Sequence, residues 1–186
     1  QYHRDTEVVD YAPHHQAYPW ATYIWAYAMT GYEGFMVNTM KAMEMTMNVY
    51  PKLKWTNGLT QEMARLLLPL AFLLRVEDTP RNRGWLERVS HDLLENMQPC
   101  GAIREMMGLL EGGTYVSPRS NEAYGINEAP LIQENGDPAC DLLYTTNYAF
   151  LGLREAAEAT GDQELKAAED LLADFLCRIQ VRSDAH

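Results

Sequence analysis

Residues 61–97 read QEMARLLLPLAFLLRVEDTPRNRGWLERVSHDLLENM, and they hold both kinds of helix from which the chain is built. The first part, about 61–77, is apolar all round: Leu66, Leu67, Leu68, Leu70, Phe72, Leu73 and Leu74 leave no wet face. Pro69 in its middle favours a bend. Thr79 then offers an N-cap and Pro80 a first helical position. The helix that follows, about 80–98, carries a single stripe of Leu86, Val89, Leu93 and Met97. A helix apolar on every side must be covered on every side, whereas a striped helix keeps one face in water. The pair reads as a hairpin with one inner and one outer helix.

The same alternation runs outward in both directions. Residues 16–30 are apolar or aromatic nearly all round, and 33–50 carry one stripe of Met36, Met40, Met43, Met47 and Tyr50. At helical spacing this methionine row reads as core. Residues 138–159 are broadly apolar, and 163–180 return to one stripe, Leu165, Ala168, Leu172, Phe175 and Ile179, with Asp162 as its cap. The turns "MTGYEGF" (29–35) and "ATGDQEL" (159–165) agree in Thr-Gly and in the apolar residue five after the Thr. Such units cannot bury their faces alone and must stack. The expectation is one all-α domain over 1–186, with αα-hairpins at about 16–50, 61–98 and 138–180 and a long ordered loop at about 99–137.

Within hairpins the turns are short, but the connections leading into each all-apolar helix are long and polar. The last runs to roughly 40 residues, more than a compact domain uses without a function. All three enter the N-terminus of an inner helix, so in a stack they emerge at one end. The stretch "NEAYGINEAPLIQENGDPACD" (121–141) mixes carboxylates and amides with Tyr124, Pro130, Leu131 and Ile132, a composition of an ordered wall rather than a solvated tether. It reads as one side of a shared site.

Composition narrows the partners. With 186 residues, 47% hydrophobic and a formal charge of −11, the chain is globular and lacks the basic surface that nucleic acid requires. No apolar run is long enough to span a membrane. Cys100, Cys140 and Cys177 have no metal-ligand spacing, their odd number excludes a complete disulfide framework, and they read as buried thiols. His14-His15 has no partner at zincin spacing, so no metal and no cofactor are expected. The start at Gln1 and the end at Asp184-Ala185-His186 read as a piece of a longer protein.

The hairpins "EDTPRNRGWLERVSHDLL" and "ATGDQELKAAEDLLADFL", with the segment "SNEAYGINEAPLIQENGDPACDLLYTTNYAFLGLREAAEATGD", resemble the six-hairpin, or (α/α)6-toroid, glycosidase-like proteins of bacterial polysaccharide processing. The resemblance implies that three hairpins form half of a toroid, with uncovered edges able to pair two copies as a homodimer. It also implies a carbohydrate substrate, hydrolase or lyase chemistry, and a secreted or periplasmic full-length protein. Its active end is the one the connection lengths mark. Glycoside cleavage needs two carboxyl groups set across a sugar, one protonated and one ionised.

The catalytic candidates are therefore Glu122 and Glu128. The substrate-binding candidates are Tyr124, Arg119, Asn121, Glu134, Asp137, His15 and Trp20. Asp5, Glu7, Asp10 and Asp141 supply further carboxylates, Tyr11, Tyr18, Tyr115 and Trp55 further rings, and Asn127 and Gln133 further amides. Asp137 and Asp141 also stand where helix caps belong. A second class stays open: a helical-repeat module that binds or scaffolds without turnover.

Overall fold

The computed structural model describes residues 13–109, 113, 132 and 134–181. Within them lie six helices: α1 Pro13–Thr30, α2 Glu33–Val49, α3 Leu59–Val76, α4 Pro80–Leu94, α5 Thr145–Thr160 and α6 Gln163–Arg178. Among the described residues there is no strand, only the isolated bridges Trp55–Gly113 and Met97–Ile103. No helix there is long and apolar enough to cross a membrane. The fold is all-α, built of stacked helical hairpins as the alternation predicts.

α3 packs against α1 on one flank, α5 on the other and α4 behind, while α2 rests on α1 and α6 on α5. One layer is thus α1, α3 and α5 with α3 central; α2, α4 and α6 line its outer side. The all-apolar sequence of α3 has its cause here, since every residue from Thr60 to Ala71 is buried. Gly152 lets α5 come close, because a Cβ there would stand 2.5 Å from the Leu67 Cβ. The methionine row of α2 is core: Met36, Met43, Met47 and Tyr50 are buried with Leu86, Val89 and Leu93 of α4.

The first and third hairpins turn by the same chemistry. Thr30 and Thr160 donate their hydroxyls to the carbonyls of Ala26 and Ala156 and accept from the amides of Tyr32 and Asp162. Gly31 and Gly161 follow at φ 68° and 72°, the left-handed region glycine enters without strain. The second hairpin uses its predicted cap instead: Thr79 accepts from the Asn82 amide, with Pro80 at the first helical position. Asp162 caps α6 through the amides of Glu164 and Leu165.

Four expectations are corrected. α1 buries one face only and leaves Tyr23, Trp25 and Met29 exposed, because it sits at the edge of its layer. α5 starts at Thr145 rather than near 138. Asp141 accepts from the amides of Leu143 and Tyr144, folding that stretch into a turn with Leu142, Leu143 and Tyr144 exposed. α4 ends at Leu94, so Met97 pairs with Ile103 in the following connection. The cysteines are free thiols, but Cys100 and Cys177 are exposed and Cys140 is half-buried, since they fall on a turn, an outer-helix end and a loop.

Candidate functional site

The connection between α4 and α5 crosses the N-terminal end of the inner layer. The Met106 carbonyl accepts from the Leu59 amide at the start of α3, and the Glu105 amide donates to Ala139. Asn135 clamps Met107 by accepting from its amide and donating to its carbonyl. Trp55, entered above as a sugar platform, is instead wholly buried and holds this connection in place. Its indole donates to the Leu109 carbonyl, and Gly108 and Gly113 lie against its ring.

Glu105 binds the two inner helices together. It is 1% exposed. Its Oε1 accepts from the amides of Gln61 at 3.3 Å and Met106 at 3.2 Å, and its Oε2 from the Thr145 hydroxyl at 2.5 Å. Gln61 is the third residue of α3 and Thr145 the first of α5, so a single loop carboxylate serves two helix N-termini. Burial raises its pKa to about 7; the bonds from Thr145, Met106 and Gln61 oppose the rise, and the nearby charge of Asp141 adds to it. With both oxygens engaged by the fold, Glu105 positions rather than reacts.

Around this joint lies a set of buried polar groups that the fold does not saturate. Glu62 is 0% exposed; its Oε1 accepts from the Thr56 amide, while its Oε2 has no hydrogen-bond partner. His14 Nδ1 lies 3.4 Å from Glu62 Oε1, near enough for attraction but not aligned as a hydrogen bond. Gln61 gives its side-chain N–H to Asp141 Oδ2 and leaves its own Oε1 without a partner, as are Thr60 Oγ1 and Arg65 Nε. Proteins pair nearly all their buried polar atoms, so one such atom is ordinary. Of six such atoms among the described residues, five lie at the start of α1 and in the first two turns of α3, the sixth being Thr39 Oγ1 on α2, and that concentration is not.

An aromatic cluster adjoins them. Tyr18 and Tyr148 are 5.0 Å apart by ring centroids, and Tyr144 lies 6.4 Å beyond Tyr148 with its ring near parallel. Burial, then the neighbouring Tyr148, raises the Tyr18 phenol to about 12, with Arg65 opposing. The Tyr18 phenol therefore serves as a neutral donor rather than as a base, and the three rings offer stacking faces.

The structure brings some of the sequence candidates here. His15 is exposed beside His14, the rings edge to face at 4.7 Å. Asp141 joins through Gln61, but its Oδ1 closes the turn at Leu143 and Tyr144 instead of capping α5, whose N-cap position is Tyr144 and carries no side-chain bond. Asp137 accepts from the Glu134 amide in the turn at Gly136, and the Glu134 side chain is exposed. Trp20, 3% exposed, belongs to the apolar core and offers no face to a substrate. Glu122, Glu128, Tyr124, Arg119 and Asn121 lie outside the described residues, as do Asp5, Glu7, Asp10, Tyr11, Tyr115, Asn127 and Gln133. Sequence reading missed Gln61, Glu62, Arg65 and Glu105. The signal was present: charges in "QEMAR", at the head of a helix apolar on every side, have no wet face to occupy.

A second concavity lies on the outer layer between α4 and the α5–α6 turn, lined by Arg83, Glu87, Ser90, His91, Asp162 and Leu165. Arg83 is held by Asp78 there, and His91, Asp92 and Glu95 form a carboxylate-imidazole group on the surface. None of these side chains is a buried atom without a partner. Compared with known proteins, the chain matches no family model, no curated protein and no solved structure.

Proposed function

We propose that the chain is a carbohydrate-active domain of hydrolase or lyase type, taking a poly- or oligosaccharide at the N-terminal end of α1, α3 and α5. The observation that carries this reading is the set of unsaturated Glu62, Gln61, Thr60, His14 and Arg65 atoms at the starts of α1 and α3, with the Arg65 guanidinium over the Tyr148 ring of the Tyr18, Tyr148 and Tyr144 cluster. A sugar presents hydroxyls that both donate and accept, beside C–H faces that stack on aromatic rings. Acceptors at Glu62 and Gln61 and a donor at Arg65 match the first, and the tyrosines match the second.

For catalysis, Glu62 is the described carboxyl group we assign, since one oxygen is anchored and the other has no hydrogen-bond partner. Glu122 and Glu128 are the proposed source of its opposite number. The uncovered flank of α1 agrees with further hairpins or a second copy beside it, as a toroid would place them.

A non-catalytic binding module is the second reading, favoured by the full engagement of Glu105 and the complete burial of Glu62. Incubating the protein and its Glu62→Gln, Glu122→Gln and Glu128→Gln variants with a polysaccharide panel, followed by product detection, separates the two. Turnover lost in Glu62→Gln and in one loop variant supports the enzyme. Binding without turnover in the unaltered protein supports the module, and neither binding nor turnover ends the carbohydrate reading.

A further inference from the structure

We propose that Arg65 is a carboxylate anchor, so that the sugar taken at this end carries a uronic acid unit; this rests on the carbohydrate reading and narrows its substrate class. Arg65 is 6% exposed, and among the described residues no carboxylate lies within ion-pair distance of it. Its Nε has no hydrogen-bond partner. The guanidinium lies over the Tyr148 ring at 4.0 Å and 6.0 Å from the Tyr144 ring. An aromatic face attracts the cation but accepts none of its directed N–H bonds.

The contrast with the other arginines is what makes this specific. Arg75, Arg81, Arg83, Arg154 and Arg178 each pair with a carboxylate on the surface, where water already serves them. Arg88 and Arg104 lack a carboxylate too, but donate to the Tyr50 carbonyl and the Gln98 side chain. Among the described residues the buried Arg65 has neither counter-charge nor hydrogen bond, and a buried charge is costly unless paired. Glu62, three residues earlier on α3, is engaged by Thr56 and faces His14 instead. Tyr144, within 6.0 Å of the guanidinium, is 41% exposed and forms the solvent edge of the tyrosine row. The planar fork of arginine matches a planar carboxylate with two parallel N–H bonds.

Calorimetric titration compares an oligogalacturonate and an oligoglucuronate with their methyl esters, the neutral oligosaccharides of equal length, a sulfated oligosaccharide and free acetate. The free acids should bind about tenfold or more tighter than the esters and neutral sugars, as a charged hydrogen-bonded pair predicts. Arg65→Gln should erase that preference, and Arg65→Lys should restore only part of it. The ester comparison uses the unaltered protein, so a variant that fails to fold leaves the proposal testable. Equal affinity for acid and ester overturns the Arg65 assignment and spares the carbohydrate reading. Tighter binding of the sulfated sugar likewise overturns it. Arg65-dependent binding of acetate with no sugar bound overturns the carbohydrate reading alone, and no binding at all overturns both.

Discussion

The Thr145 hydroxyl donates to Glu105 Oε2 at 2.5 Å, while Glu105 Oε1 accepts from the Gln61 amide, so the starts of α5 and α3 are joined through one buried side chain. That joint should be pH-sensitive. Burial is the main cause of the rise of the Glu105 pKa from 4.5 to about 7. Between these values the folded chain holds a proton that the unfolded chain has released, so the contribution is full below about 4.5 and is lost as pH rises through about 7. The difference is on the order of 3 kcal/mol at most. Urea melts at pH 5 and pH 8 should show the unaltered protein losing more stability over that span than Glu105→Gln does. Parallel losses in both would remove the assignment.

Gly58 should tolerate no side chain. A Cβ at this position would stand 2.0 Å from Glu105 Oε1, so Gly58→Ala must displace the carboxylate from both helix ends. A destabilisation of about 1–3 kcal/mol is expected from such overpacking. The same variant should lose the Glu105 part of the pH dependence. An unchanged urea midpoint would show that the joint is looser than described.

Asp162→Ala should cost about 1 kcal/mol, the usual worth of a helix cap, because the amides of Glu164 and Leu165 lose their acceptor. Gly161→Ala, at φ 72°, adds a left-handed penalty of similar size. Thermal melts check both, and a melting temperature unmoved by either substitution would contradict the turn geometry.

Trp25 and Met29 are exposed along one flank of α1, and Leu151 is exposed on α5. Apolar surface of this kind promotes association. Sedimentation should show concentration-dependent self-association that Trp25→Glu weakens. A monomer at every concentration would count against a partner on this flank.

How far the sequence could be read differs between fold and site. Periodicity reports which faces are dry, and that alone orders the hairpins, because α3 must be central if it is apolar all round. It does not report how many neighbours an edge helix has, and α1 was overestimated for that reason. The packing of the long connection across the inner-helix starts was legible from connection lengths, as the crossing of residues 105–107 over the start of α3 bears out. The particular side chains were not. Gln61, Glu62 and Arg65 sit among apolar residues whose burial is set by tertiary packing, and Glu105 lies far from them in sequence. These groups lie on a core helix and in the stretch of the α4–α5 connection that packs against it.

The central claim is that a hydroxylated ligand binds where α1, α3 and α5 begin. Its most direct test is an NMR titration of the isotope-labelled protein with the best-bound oligosaccharide of the panel, following backbone amides with the His14 imidazole and the Gln61 side-chain amide. The account predicts perturbations concentrated at residues 14–18, 56–65, 105–107 and 141–148, with the α4–α6 groove silent. Shifts confined to that groove or to the α1 flank, or no saturable shift at all, would contradict it.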